Sequence, residues 1–187
     1  MSVMNGASGS SVLPAGRWSV DATRSSVAFA AGHMTLATVN GRFQEFDGAL
    51  EIGSGTPRAT GVVRAASIDT DEPIRAEHLR RSRDFFDVGR YPEITIRSTR
   101  IDYLDGGRLR VVGDLTMRGV TREIALDARL GTRPEVVGDR RVELELRGEL
   151  RRRDFGLTWN TTLEAGGVLA GEDVTVTLDV EFIMAAQ

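Results

Sequence analysis

Long stretches of this sequence alternate between apolar and polar residues. The clearest stretch, residues 108–118, places five small or apolar residues on one face: Leu109, Val111, Gly113, Leu115 and Met117. Residues 120–130, 141–150 and 174–184 follow the same pattern. Successive side chains of a β-strand point to opposite faces of the sheet, so each stretch is predicted to be a strand with one buried and one hydrated face. The pattern indicates an all-β protein.

The first half of the chain alternates less regularly. It contains five further predicted strands, at residues 17–20, 25–31, 39–52, 58–68 and 94–103. The aromatic residues change phase between Phe43 and Phe46, which predicts a bulge or bend at that point. The sequences Asp105-Gly106-Gly107 and Arg118-Gly119 are typical of tight hairpin turns.

Residues 71–86 lack this alternation. Pro73 follows an acidic turn, as is common at the first turn of a helix, and we predict one short helix near residues 73–84 that crosses an end of the sheet. Its charges fit a solvated helix face better than a functional cluster. Strands with mostly short connections indicate a meander. Closure into a barrel would remove the exposed edges of such long strands, so a barrel is favoured over a sandwich.

Length and composition exclude several classes of protein. The 187 residues suit a single domain. The net charge of −3, with acids and bases mixed, gives no reason to expect a nucleic-acid partner. No apolar stretch is long enough to span a membrane as a helix. The absence of cysteine excludes disulfides and thiolate metal sites.

The first 16 residues are rich in glycine, serine and alanine. They lack the basic and apolar regions of a secretory signal. We therefore interpret residues 1–16 as a flexible leader and residues 17–187 as the barrel domain, and we expect a cytoplasmic protein.

Small residues recur on the face predicted to point inward, among them Ala59, Gly61, Ser98, Gly113 and Gly148. An eight-stranded barrel can be filled by its own side chains or can keep space for one small ligand. Small inward residues favour the second outcome. Glycines also bend strands at barrel corners, so the pattern by itself leaves both interpretations open.

The residues do not predict catalysis. The two histidines, His33 and His78, are far apart, and no metal-binding or nucleophile motif is present. We expect neither an enzyme nor a metal or other cofactor. Two alternatives stay open: an enzyme that acts on a small molecule with His33, His78 or a carboxylate as base, and a filled barrel without a lipid ligand that acts in a stress response.

The order of short motifs along the chain resembles the YceI-like family of lipocalin-like polyisoprenoid-binding proteins. The motifs are Trp18-Ser19-Val20-Asp21, Asn40-Gly41-Arg42-Phe43, Ser67-Ile68-Asp69, His78-Leu79-Arg80, Asp84-Phe85-Phe86, Gly113-Asp114-Leu115-Thr116-Met117-Arg118-Gly119, Asp154-Phe155-Gly156-Leu157 and Trp159-Asn160. They run in the same order from about residue 17 to residue 183.

The resemblance implies an eight-stranded antiparallel lipocalin-like barrel with a lid-like helix near residues 74–86. It also implies an elongated apolar cavity for a polyisoprenoid chain, such as a prenyl diphosphate or a quinone tail. The chain departs from the family pattern at the lid. Where the family commonly has an asparagine and an Arg-Asp pair, this chain has Glu72, Arg75 and Ala76, and one residue is added before Asp84.

On this basis we expect an apolar isoprenoid ligand, with an oligomeric state that the sequence leaves open and that includes a homodimer. The apolar wall is predicted to contain Phe29, Phe43, Phe86, Met117, Leu146 and Trp159. The weaker candidates for contact with the head group are Arg42, His78 and Arg153. The arginines are chosen because guanidinium groups match phosphate oxygens, although Arg153 also fits a solvated strand end.

Overall fold

The computed structural model describes residues 13–33, 38–131, 140–158 and 170–185. Its strands, together with a single α-helix within these ranges, are β1 Gly16–Val20, β2 Ser26–His33, β3 Val39–Phe43, β4 Phe46–Ile52, β5 Arg58–Arg64, β6 Ile68–Thr70, α1 Pro73–Arg81, β7 Glu93–Tyr103, β8 Arg108–Met117, β9 Val120–Leu130, β10 Arg141–Arg151 and β11 Ala170–Met184. The all-β prediction with one short helix is confirmed.

Eight of these strands form a closed antiparallel ring in the order β1-β4-β5-β7-β8-β9-β10-β11. The ring closes where β1 pairs with the last residues of β11, from Trp18 opposite Met184 to Val20 opposite Phe182. The earlier part of β11 pairs instead with β2, and β3 and β6 extend the sheet beyond β2. The predicted eight-stranded barrel is therefore confirmed.

Two interruptions shape the wall of the barrel. The predicted bend between Phe43 and Phe46 separates β3 from β4. A second irregularity lies between β9 and β10, which pair only from Leu144 opposite Leu130 to Arg147 opposite Asp127. Beyond that point each strand remains paired on its other side, β9 with β8 and β10 with β11.

Helix α1 begins at Pro73, as predicted, and ends at Arg81, earlier than the predicted residue 84. Turns follow it, with the backbone N–H of Phe86 donating to the carbonyl of Leu79 at 3.1 Å. The Arg80 guanidinium donates to the carbonyls of Ala66 and Ile68 at 2.9 and 2.7 Å. These bonds fix the helix over one end of the barrel. Among the described residues, none of the helices combines the length and the apolar character that a transmembrane segment requires.

The core consists of two clusters of buried side chains, one toward each end of the barrel. We call the first the closed end, because it lies where β1 completes the ring: Trp18, Leu50, Ile52, Val180 and Phe182. We call the second the split end, because β9 and β10 separate there under α1: Phe43, Ala65, Ile68, Leu79, Phe85, Ile94, Leu115, Met117, Phe155 and Leu157.

Candidate ligand-binding site

A cavity of about 190 Å³ lies inside the barrel. Its wall comes from residues on ten of the eleven strands, and most of these residues are apolar. The Ser98 hydroxyl is one of the few polar groups, and it accepts a hydrogen bond from the backbone N–H of Ala59 at 2.8 Å. The main inward side chains of the wall are Val20, Val27, Phe43, Phe46, Ala59, Val63, Ile94, Ile96, Ser98, Val111, Leu115, Met117, Ile124, Leu126, Leu146, Leu150, Val176, Leu178, Val180 and Phe182.

A smaller cavity of about 70 Å³ lies next to the closed end. It shares four wall residues with the central cavity: Ala59, Val111, Leu146 and Phe182. The two cavities therefore adjoin at these four residues, and both are lined mainly by apolar side chains.

The small inward residues serve both of the purposes that the sequence left open. Gly61 lines the central cavity and contributes space there. A Cβ on Gly113 would lie only 2.6 Å from the carbonyl oxygen of Arg97, beside a β-bulge in β7. A Cβ on Gly148 would lie 2.5 Å from Cδ2 of Leu126. Glycine at these two positions permits the close approach of neighbouring chain segments.

Three aromatic rings pack together at the split end, and among them Phe43 lines the cavity. The rings of Phe29 and Phe43 have centroids 5.7 Å apart, and those of Phe43 and Phe86 meet edge to face at 5.8 Å. Gly41 has no side chain and leaves the space that the Phe29 ring occupies. Edge-to-face pairs of this kind are favourable beyond their buried area. Phe29 and Phe86 therefore support Phe43 at the cavity wall.

Several of the predicted wall residues lie at this cavity. Phe43, Met117 and Leu146 line it directly. Phe29 and Phe86 lie one layer away, in contact with the core cluster of the split end. Trp159 lies outside the described residues.

The structure does not bring the three predicted head-group residues together. Arg42 lies on the outer face of β3, where its guanidinium is 3.2 Å from the Asp69 carboxylate. His78 is exposed on α1, with its ring 5.7 Å from that of Phe85. Arg153 forms an ion pair with Glu172 at 2.9 Å. Alternation explains the position of Arg42, because its neighbour Phe43 faces inward.

The residues predicted for the apolar wall leave out several that face the interior. Strand β11 contributes Val176, Leu178 and Val180 to the cavity wall, and the alternation of that strand was sufficient to identify them. Arg122 is also absent from the predicted wall. It lies opposite inward-facing Leu115 and therefore on the inner face of β9. Arg122 is the one charged residue on the otherwise apolar inner face of β9.

Arg152 is a buried charge near the split end. Its side chain donates to the carbonyl of Gly171 at 3.0 Å and to that of Leu157 at 3.3 Å. Burial lowers the pKa of Arg152, and the nearby charge of Arg153 adds to this effect. Through these hydrogen bonds, the Arg152 side chain connects β11 to the turn after β10. Within the described ranges, no group of three or more histidine and carboxylate side chains could hold a metal ion.

Comparison with known proteins identifies relatives across nearly the whole barrel. The family model of the YceI-like domain matches residues 18–182. A UPF0312 protein of Staphylococcus aureus strain N315 is 31% identical over 167 residues, which cover 87% of this chain and 94% of that protein.

Solved structures share the fold at lower sequence identity. BcnA of Burkholderia cenocepacia superimposes with a TM-score of 0.73 at 18% identity, covering 87% of this chain and 98% of BcnA. A polyisoprenoid-binding domain from Saccharophagus degradans, implicated in plant cell wall breakdown, gives a TM-score of 0.67 at 20% identity. It covers 90% of this chain and 98% of that domain.

Proposed function

This chain belongs to the YceI-like family, and from that premise we propose that it holds the apolar chain of a polyisoprenoid-type lipid inside its barrel. The observation that carries the proposal is the apolar cavity of about 190 Å³ at the centre of the closed ring. Polyisoprenoid binding by the structurally similar domain from Saccharophagus degradans supports the same ligand class.

The size of the cavity limits how much of a ligand it accepts. An apolar cavity of about 150 Å³ is large enough for benzene. The central cavity of about 190 Å³ therefore accommodates roughly one or two five-carbon isoprene units. A longer chain would need the adjoining 70 Å³ as well, or would extend out of the barrel.

Burial of the chain supplies the binding energy. Each buried methylene-sized group contributes about 0.8 kcal/mol, hence roughly 4 kcal/mol before costs for each isoprene unit. Loss of translational and rotational freedom opposes binding by several kcal/mol. Two buried units alone would thus bind weakly, and we propose that contacts outside the cavity add to the affinity.

The role we propose is binding rather than catalysis. Family membership and the similarity to a polyisoprenoid-binding domain favour a binding protein. The predicted wall residues Phe43, Met117 and Leu146 would contact the chain, with Phe29 and Phe86 supporting Phe43. A cytoplasmic location and a homodimer stay predictions from the sequence.

Native mass spectrometry with farnesol tests the proposal, using two variants of one hairpin. Ala59 of β5 faces the cavity, whereas Ala49 of the paired strand β4 lies on the outer face. We expect Ala59→Leu to fill the cavity and weaken farnesol binding by at least about tenfold, because several buried methylene contacts are displaced. Ala49→Leu should bind farnesol like the parent chain.

The same spectra, recorded on protein purified without added ligand, should show a co-purified apolar molecule that solvent extraction identifies. Absence of bound farnesol in the parent chain, at concentrations that saturate a micromolar site, would overturn the proposed function. Equal loss of binding in both variants would indicate damage to the hairpin, and equal retention would place the ligand elsewhere.

A further inference from the structure

A cleft opens through the wall of the barrel between β9 and β10. The two strands share only four residue pairs, the last of them Arg147 opposite Asp127. Beyond this pair, toward the split end, the two strands diverge, and the turn at Arg152–Phe155 lies between them. The resulting cleft has a volume of about 700 Å³ and is open to solvent on its outer side.

The cleft reaches the central cavity. Ile124 of β9 and Leu150 of β10 line both spaces. Both side chains are half-buried. Rotation of these two apolar side chains would join the cleft to the cavity without breaking any strand pairing, because β9 and β10 are already unpaired at this level.

Arg122 lies in this cleft. It belongs to the inner face of β9, two residues before Ile124, and it is exposed only because the strands diverge there. Its Nη1 donates to the carbonyl of Thr121 at 3.2 Å, and within the described part of the chain it forms no ion pair. A charged residue on an inner face is unusual and is informative about function.

The charges around the cleft restrict the kind of head group that it would accept. Arg122 lies on the inner face. The lining of the cleft as a whole contains three arginines, Arg122, Arg147 and Arg151, and four carboxylates, Glu123, Asp127, Glu149 and Asp154. One charge of each sign is paired with a residue outside the cleft, because Arg151 lies 3.8 Å from Asp173 and Asp127 lies 3.5 Å from Arg110, so carboxylates remain in excess. The surrounding carboxylates would repel a diphosphate, whereas a carbonyl or a single carboxylate could accept hydrogen bonds from Arg122.

We infer that this cleft is the side entrance of the barrel, and that the head group of the bound lipid stays beside Arg122. The head group is a hydrogen-bond acceptor with at most one negative charge, such as a quinone carbonyl or a carboxylate. This inference rests on the proposed function and extends it from the apolar chain to the head group and its path of entry.

Three ligands with the same fifteen-carbon chain test the head group: farnesoic acid, farnesol and farnesyl diphosphate. We expect farnesoic acid to bind more tightly than farnesyl diphosphate, by at least about threefold. Arg122→Met should weaken farnesoic acid by about tenfold, since a charge-assisted hydrogen bond is lost, and should change farnesol by less than about twofold. Arg129→Met, an exposed arginine on the same strand but outside the cleft, is the matched control.

The outcomes separate this inference from the proposed function. If none of the three ligands binds the parent chain, the proposed function fails. If they bind, but Arg122→Met has no more effect than Arg129→Met, or the diphosphate binds most tightly, the head-group assignment is wrong while lipid binding stands.

Cysteine labelling tests the entrance, because the natural chain contains no cysteine. Ile124 and Leu126 lie two residues apart on the same face of β9, but only Ile124 borders the cleft. We expect a maleimide to label the I124C variant at least about tenfold faster than L126C, and farnesoic acid to slow the labelling of I124C. Equal rates for the two variants, or no protection by a ligand that demonstrably binds, would overturn the side entrance.

Discussion

The two ends of this barrel are built from the same kind of alternating strands, yet they complete the wall in different ways. At the closed end, backbone pairing is continuous, because β1 bridges β4 and β11. At the split end, β9 and β10 separate on either side of the cleft, and side chains from turns and from α1 pack in the core cluster at that end. The closed end is thus secured by hydrogen bonds along the whole ring, and the split end by packing.

This difference divides the tasks of stability and access between the two ends. Regions with continuous pairing and dense burial open only with global unfolding, whereas regions with fewer backbone bonds open locally at a smaller free-energy cost. A lipid chain enters more readily where no backbone hydrogen bonds between strands have to break. We therefore expect the closed end to determine the stability of the domain and the split end to admit the ligand.

The largest effect should come from truncation of the closed end. Trp18 is only 2% exposed and lies at the centre of its core cluster. Trp18→Ala should lower the free energy of unfolding by about 3–5 kcal/mol, because a large cavity replaces the ring. Phe86→Ala at the split end should have a smaller effect, about 1–2 kcal/mol, since that ring is only half-buried. Urea unfolding measures both, and an equal or reversed order would break the comparison.

Hydrogen exchange should show the next largest difference. Some of the backbone amides at residues 121–125 and 148–151 point into the cleft, where β9 and β10 are unpaired. We expect these amides to exchange at least about 100-fold faster than the amides of β9 and β10 that join the two strands at residues 127–130 and 144–147. Uniform protection along both strands would show that the cleft does not separate them.

The smallest effect concerns the charge of Asp21 at the closed end. Its side chain accepts hydrogen bonds from Thr23 and Arg141, and the bond from the Thr23 side chain is the main cause that lowers the pKa of Asp21 below 3.8. A lowered pKa stabilises the fold at pH values above the unfolded-state pKa, and this contribution is lost as the pH falls through the folded-state pKa.

Asp21→Asn keeps the capability to cap the following turn but removes this charge. The variant should therefore melt slightly below the parent chain at pH 7, and the gap should close as the pH falls through the lowered pKa of Asp21. Thermal melts of both proteins across this range measure the difference. A constant gap at every pH would show that the charge of Asp21 does not contribute.

The sequence was sufficient to predict most of the strands and their inner faces, because alternation depends on each strand alone. It also predicted the bend between Phe43 and Phe46 and the start of α1 at Pro73. It did not reveal where β9 and β10 separate, because alternation says nothing about which residues of two strands are paired. Arg122, a charge on the inner face of β9, was the one local signal of the cleft.

The candidate site was less predictable for a related reason. Membership of an inner face is visible in the sequence, but distance along the barrel axis is not. Phe43 and Leu146 line the cavity, whereas Phe29 and Phe86 lie beside it. Arg42 was chosen for its charge, although its own alternation with Phe43 places it on the outer face.

Methyl NMR during titration with geraniol shows whether an apolar chain occupies the barrel interior. Leu146 and Leu178 face the central cavity, whereas Ile74 and Leu104 are exposed, with 82% and 48% of their surface accessible. We expect large, saturable shifts of the Leu146 and Leu178 methyl groups with little change at Ile74 and Leu104. Shifts confined to Ile74 and Leu104, with the interior methyl groups unchanged, would contradict it.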